Sequence, residues 1–93
     1  MAPTGSIQYL QCSDPFYRAV FDNSASNVPV RFTFKYVRAA GLGNGHITMW
    51  VDGGATFTTR YVRLKVGSKA VVRDLSDQQT LAQIIVHGDQ CDK

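Results

Sequence analysis

In VPVRFTFKYVR, residues 28–38, Arg31 and Lys35 fall on one parity while Val30, Phe32, Phe34 and Tyr36 fall on the other. The alternation returns at 62–66, where Arg63 and Lys65 interleave with Val62, Leu64 and Val66. A strand has a side-chain period of two, so this spacing turns apolar groups inward and cations outward. Arg31, Lys35, Arg63 and Lys65 are therefore the expected cationic sheet face, with Arg18, Arg38, Arg60 and Arg73 near them in sequence. A face of this sign attracts polyanions such as nucleic-acid backbone, teichoic acid, anionic glycans or lipid headgroups. The formal net charge of +3 agrees in sign. The competing reading is a solvated face whose long basic side chains keep edge strands from pairing with other chains. A nucleic-acid platform would add aromatics to the same face for base stacking. The aromatics of 30–36 take the inward parity, so nucleic acid is not the expected partner; an anionic polymer, a glycan or a protein is.

Trp50 stands out of phase. In HITMWVD, Ile47, Met49 and Val51 make the core parity, which leaves Trp50 with His46, Thr48 and Asp52. An exposed Trp among polar groups stacks on a sugar ring or anchors a protein contact. The alternative is a strand buried on both faces, or a register shift at a bulge. The carboxylates point elsewhere. All seven acids are Asp, and Asp14, Asp22, Asp52, Asp74, Asp77 and Asp89 fall at expected turns or strand ends, where they cap local N–H groups. None is paired by spacing as an acid and base couple. His46 and His87 are the only candidate bases, and no G-x-S-x-G serves them. GLGNGH, followed by a strand rather than a helix, lacks the helix N-terminus a phosphate cradle needs. No enzyme activity, cofactor or metal site is expected.

Cys12 and Cys91 bracket nearly the whole chain without any C-x-x-C, which excludes zinc-ribbon and thioredoxin-type motifs on spacing. They read as one disulfide joining the terminal strands, contributing about 4–5 kcal/mol by the loop-entropy model; the alternative is two unrelated buried thiols. Such a bond persists in oxidising compartments. MAPTGSIQYLQC carries neither the basic nor the apolar region of a secretory signal. A chain that starts naturally at Met1 would not be exported by the general route, whereas a mature domain with an added Met1 could be; the cysteines favour the second case, an extracellular or cell-surface domain. No apolar run approaches the roughly 18 residues of a membrane helix.

The elements that must position these groups are strands. Helical periodicity is absent, and Gly and Asx clusters punctuate the chain about every ten residues. Strands are expected at 7–11, 16–22, 28–38, 46–52, 55–66 (one long or two short), 70–73 and 81–87. Asp52-Gly53-Gly54 makes a tight turn, 39–45 a flexible connection, and residues 1–6 and 92–93 tails. At 93 residues this is one domain.

QYLQCSD, AVFDNSASNVPVRFTF, VDGG followed by TTRYVRLKVGSKAVV, and TLAQIIVHGDQC together resemble small secreted bacterial immunoglobulin-like modules, especially those of actinobacterial exported proteins. The resemblance spans nearly the whole chain. It implies an all-β, immunoglobulin-like antiparallel β-sandwich of about seven or eight strands and transfers no catalytic residue. The functional expectation is a non-enzymatic binding or structural module, with Arg31, Lys35, Arg63 and Lys65 meeting an anionic partner and Trp50 a sugar or protein. The alternative is a phage virion decoration or tail-associated protein of the same fold, which would self-associate or dock on a larger shell.

Overall fold

The computed structural model describes residues 3–10 and 14–88. Cys12 and Cys91, and with them the expected disulfide, lie outside those residues. Among the described residues there are eight strands, β1 (Thr4–Tyr9), β2 (Phe16–Asp22), β3 (Val30–Arg38), β4 (Gly43–Val51), β5 (Thr56–Thr58), β6 (Val62–Arg63), β7 (Lys69–Asp74) and β8 (Gln79–Ile85). They form two four-stranded antiparallel sheets. In one, β1 pairs with β2, and β5 and β6 share the other edge of β2; in the second the order is β4-β3-β7-β8. The molecule is a β-sandwich.

The inward parity of β3 builds the core as its sequence implies. Val30, Phe32, Phe34 and Tyr36 are buried, and Tyr17, Ala19 and Phe21 of β2 meet them from the facing sheet. Phe21 stacks on Phe32 with centroids 5.1 Å apart and planes nearly parallel, and Phe34 tilts against Tyr36 at 5.0 Å. Each aromatic removed from water in this way stabilises the fold by roughly 1.5–3 kcal/mol. Leu64, Ala70, Val72 and Val86 complete the layer.

The stretch 55–66 resolves into two short strands because the ladder breaks at Thr59. Its backbone N–H donates to Ala19 O at 2.9 Å, and its hydroxyl accepts the Ala19 N–H at 3.0 Å. The side chain replaces the missing backbone acceptor, so β2 stays fully bonded between β5 and β6. Beyond Arg63 the chain changes sheets: Leu64 N–H bonds Pro15 O beside β2, whereas Lys65 N–H bonds Val37 O of β3 (both 2.9 Å). The parity expected for 62–66 does not survive this crossing. Leu64 is buried but Val66 is exposed.

Other boundaries also move. β1 begins at Thr4, inside the expected tail, because Thr4–Ser6 pair with Asp22, Phe21 and Val20. β4 begins at Gly43, inside the expected flexible connection, since Gly43, Asn44 and Gly45 pair with Arg38, Val37 and Tyr36. Gly45 suits that place: a Cβ there would stand 2.6 Å from Cε1 of the Tyr36 ring. At the opposite end, Asn23 ties the turns together. Its Nδ2 donates to Val28 O (2.8 Å) and Val51 O (2.9 Å), and its backbone bonds Ala55, Gly54 and Ser26.

Candidate functional site

The outward side of β4-β3-β7-β8 is set by cross-strand register, which places residues side by side whatever their distance in sequence. Trp50 of β4 lies opposite Arg31 of β3, Thr48 opposite Thr33, and His46 opposite Lys35. On the far side of β3, Thr33 meets Arg73 and Lys35 meets Val71 of β7. Arg73 and Val71 in turn face Thr80 and Gln83, and Lys69 faces Ile85. No Asp or Glu occupies any of these positions. Arg31, Lys35, Lys69 and Arg73 therefore share a face whose described paired positions hold no acid, and among the described residues none has a carboxylate within 4.0 Å.

The face is wet at its ends and closed at its centre. Trp50 is 61% exposed, while Thr33 is buried despite its outward parity, and its hydroxyl shares a 3.0 Å hydrogen bond with that of Thr48. Arg73 is held by an Nη2 donation to Gln78 O at 3.0 Å. Toward the other end, Lys35, Val37, Asn44, His46, Lys69 and Val71 line an open pocket of about 320 Å³. Trp50 with Arg31 forms one station and this pocket the other. Arg31 and Lys35 are separated by about 13 Å of strand. A flat ring can lie on the indole, an anionic group can sit among the lysines, and one extended ligand can reach both.

Of the residues expected to bind, Arg31, Lys35 and Trp50 come together. Arg63 does not. It belongs to β6 in the other sheet, opposite Phe16, and forms an exposed ion pair with Asp14 at 3.3 Å. Lys65 follows the change of sheet and stands at the margin of the face, beside Val37. Trp50 is outward and exposed as its parity implies, so the cationic face carries an aromatic from the neighbouring strand. Lys69 and His46 were missed as members. Their signal was present: Lys69, Val71 and Arg73 alternate with Ala70 and Val72, and His46 has the parity of Trp50.

The acids behave as turn residues. Asp22 Oδ1 accepts from Ser24 N (2.9 Å) and Ser24 Oγ (2.6 Å), and Asp74 Oδ1 accepts from Ser76 N and Asp77 N. The Ser24 hydroxyl, then its backbone N–H, hold the Asp22 carboxyl below its ordinary pKa. His87 packs its ring against Tyr9 and Tyr17, at 4.9 and 5.7 Å. Among the described residues no hydrogen bond joins either His side chain to a carboxylate, and no cluster of three or more His, Cys, Asp or Glu is placed to hold a metal. No helix among them is long and apolar enough to cross a membrane.

The described residues form an all-β protein, a sandwich of two four-stranded antiparallel sheets, one of which carries a cationic face. Comparisons with protein families, curated proteins and solved structures found no match to this chain.

Proposed function

We propose that this chain is a non-enzymatic, immunoglobulin-like binding module that acts outside the cell or at its surface and recognises an anionic polymer or glycan on its β4-β3-β7-β8 face. The observation that carries this reading is the exposed Trp50 in register with Arg31, on a face that also holds Lys35, Lys69 and Arg73 and, among its described paired positions, no acid. The immunoglobulin-like part is supported by strand order: β1, β2 and β5 oppose β4, β3, β7 and β8, as strands A, B and E oppose C′, C, F and G in such sandwiches. Location outside the cell rests on a Cys12–Cys91 bond. It is supported by the Tyr9 hydroxyl donating to Gly88 O at 3.0 Å, which brings together the segments leading to the two cysteines. Non-reducing peptide mass spectrometry tests that bond, and two free thiols in oxidised material would remove this support.

The binding test uses the single tryptophan as its own reporter. Heparin, polyglutamate and neutral dextran are titrated while Trp50 fluorescence is followed. The expected result is a saturable change with a polyanion and none with dextran, abolished at 1 M NaCl, where the screening length is about 3 Å. Arg31→Ala/Lys35→Ala should weaken binding tenfold or more, and Trp50→Ala, followed by calorimetry, should weaken it as well. Equal affinity of parent and variants, or equal response to dextran, overturns the reading.

A further inference from the structure

A second pocket, of about 260 Å³, opens where the end of β3 and its turn meet β6, and it is a different site from the sheet face. Arg38, Arg60 and Arg63 line it together with Tyr36, Leu42 and Val62. The arginines are brought together by backbone. Arg38 forms an isolated antiparallel bridge with Leu64, and Ala39 N–H donates to Arg63 O at 3.2 Å, which fixes the chain at Arg38 beside the chain at Arg63. Arg60 follows Thr59, which is anchored to Ala19. Arg38 Nη2 donates to Leu42 O at 2.9 Å, holding the turn over the pocket.

The charges are poorly balanced. Of the carboxylates among the described residues, only Asp14 forms an ion pair here, with Arg63, and both of those side chains are more than half exposed. Guanidinium groups repel one another when gathered around a small apolar volume, and an anion among them removes that repulsion. A guanidinium's planar fork matches a carboxylate with paired hydrogen bonds. Tyr36, Val62 and Leu42 supply an apolar wall, and Leu42 is 64% exposed, a large side chain with little core to serve. The turn is also strained: Ala40, on the pocket wall, has φ of 59°. Left-handed backbone at a residue other than glycine concentrates at ligand sites.

We infer that this pocket binds a carboxylate carried on a short apolar body, with the carboxylate on Arg38 and Arg60 and the body against Leu42, Val62 and Tyr36. The pocket is small and open on one side, which suits a short-chain acid rather than a long one. The same chemistry is found in a free short-chain acid and in a peptide ending on an apolar residue. The inference goes beyond polymer binding by the sheet face and does not depend on it.

The test is a ¹H–¹³C and ¹H–¹⁵N NMR titration of the full chain with hexanoate, N-acetyl-leucine, N-acetyl-leucinamide and hexan-1-ol. Hexanoate or acetyl-leucine should shift the Leu42 and Val62 methyls and the Arg38 and Arg60 Nε–H signals along one saturable curve. The amide and the alcohol should bind at least tenfold more weakly. Arg60→Gln, at a side chain with no hydrogen bond among the described residues, should weaken the acid tenfold with the remaining spectrum unchanged, and Lys35→Gln should leave it unaffected. Tighter binding of acetyl-leucine assigns the pocket to chain ends, and tighter binding of hexanoate to free acids. Equal binding of hexan-1-ol, or equal affinity of Arg60→Gln and the parent, overturns the proposal.

Discussion

Asn23→Ala should destabilise the chain measurably through a single lost amide. The residue is fully buried, and its Nδ2 donates to Val28 O at 2.8 Å and Val51 O at 2.9 Å. Removing the amide leaves two carbonyl groups without that donor in the space between the 23–28 loop and the end of β4. Val28 is exposed and its carbonyl keeps the Ser26 hydroxyl as a donor at 3.2 Å, so the buried carbonyl left unmet is that of Val51, at a cost of about 1–3 kcal/mol, against a total of about 5–15 kcal/mol for a domain of this kind. Asn23→Asp tests the same contact by another route. A carboxylate would face two carbonyl oxygens, and burial and repulsion would raise its folded pKa above the ordinary value near 3.9. The protonated variant keeps one O–H donor. Its stability relative to the parent should therefore be highest below pH 4 and fall as pH rises from the unfolded toward the folded pKa. Urea unfolding followed by far-UV circular dichroism at pH 4 and pH 7 measures both effects. A cost below about 1 kcal/mol for Asn23→Ala, or a pH-independent penalty for Asn23→Asp, would refute the reasoning.

Asp22 has the opposite sign. The Ser24 hydroxyl and N–H lower its folded pKa, so its contribution is fully present above the unfolded value and is lost as pH falls through the folded one; Asp22→Asn should flatten that acid limb in denaturant titrations. Thr59→Val should cost about 1–3 kcal/mol, because the Ala19 N–H loses its acceptor while volume is conserved, and its amide exchange should accelerate. Ala40→Gly should stabilise the chain by about 0.5–1 kcal/mol in thermal unfolding, relieving φ of 59° against glycine's entropy cost.

Much of the fold is legible in local pattern. β2 falls on the expected boundaries, and β3 buries the expected parity, with Thr33 the outward exception, buried where its hydroxyl meets that of Thr48. Asp22 and Asp74 bond their own turns as Asp in such places does. What is not legible depends on partners far along the chain. Gly43–Gly45 have no strand preference of their own and are held extended by Arg38, Val37 and Tyr36. Lys65 looks like a continuation of Arg63 until the chain leaves one sheet for the other at Leu64. The candidate face is half legible for the same reason: parity marks Arg31, Lys35, Trp50, His46 and Lys69 as outward, but only register sets them beside one another.

Asn44, on the wall of the lysine pocket, is followed by Gly45. This dipeptide ages readily, because the unhindered glycine nitrogen attacks the side-chain amide carbon, expels ammonia and closes a succinimide, which water opens to Asp or isoaspartate. Extended backbone, held by pairing with Val37 and Tyr36, keeps that nitrogen away from the amide carbon. The far end of the β3–β4 hairpin is thus a slow chemical clock. Each fraying event gives it a chance to run, and each completed reaction writes a permanent negative charge into a basic pocket. An acidic isoform accumulating in stored protein would record how often that hairpin opens, long after the strands have closed again.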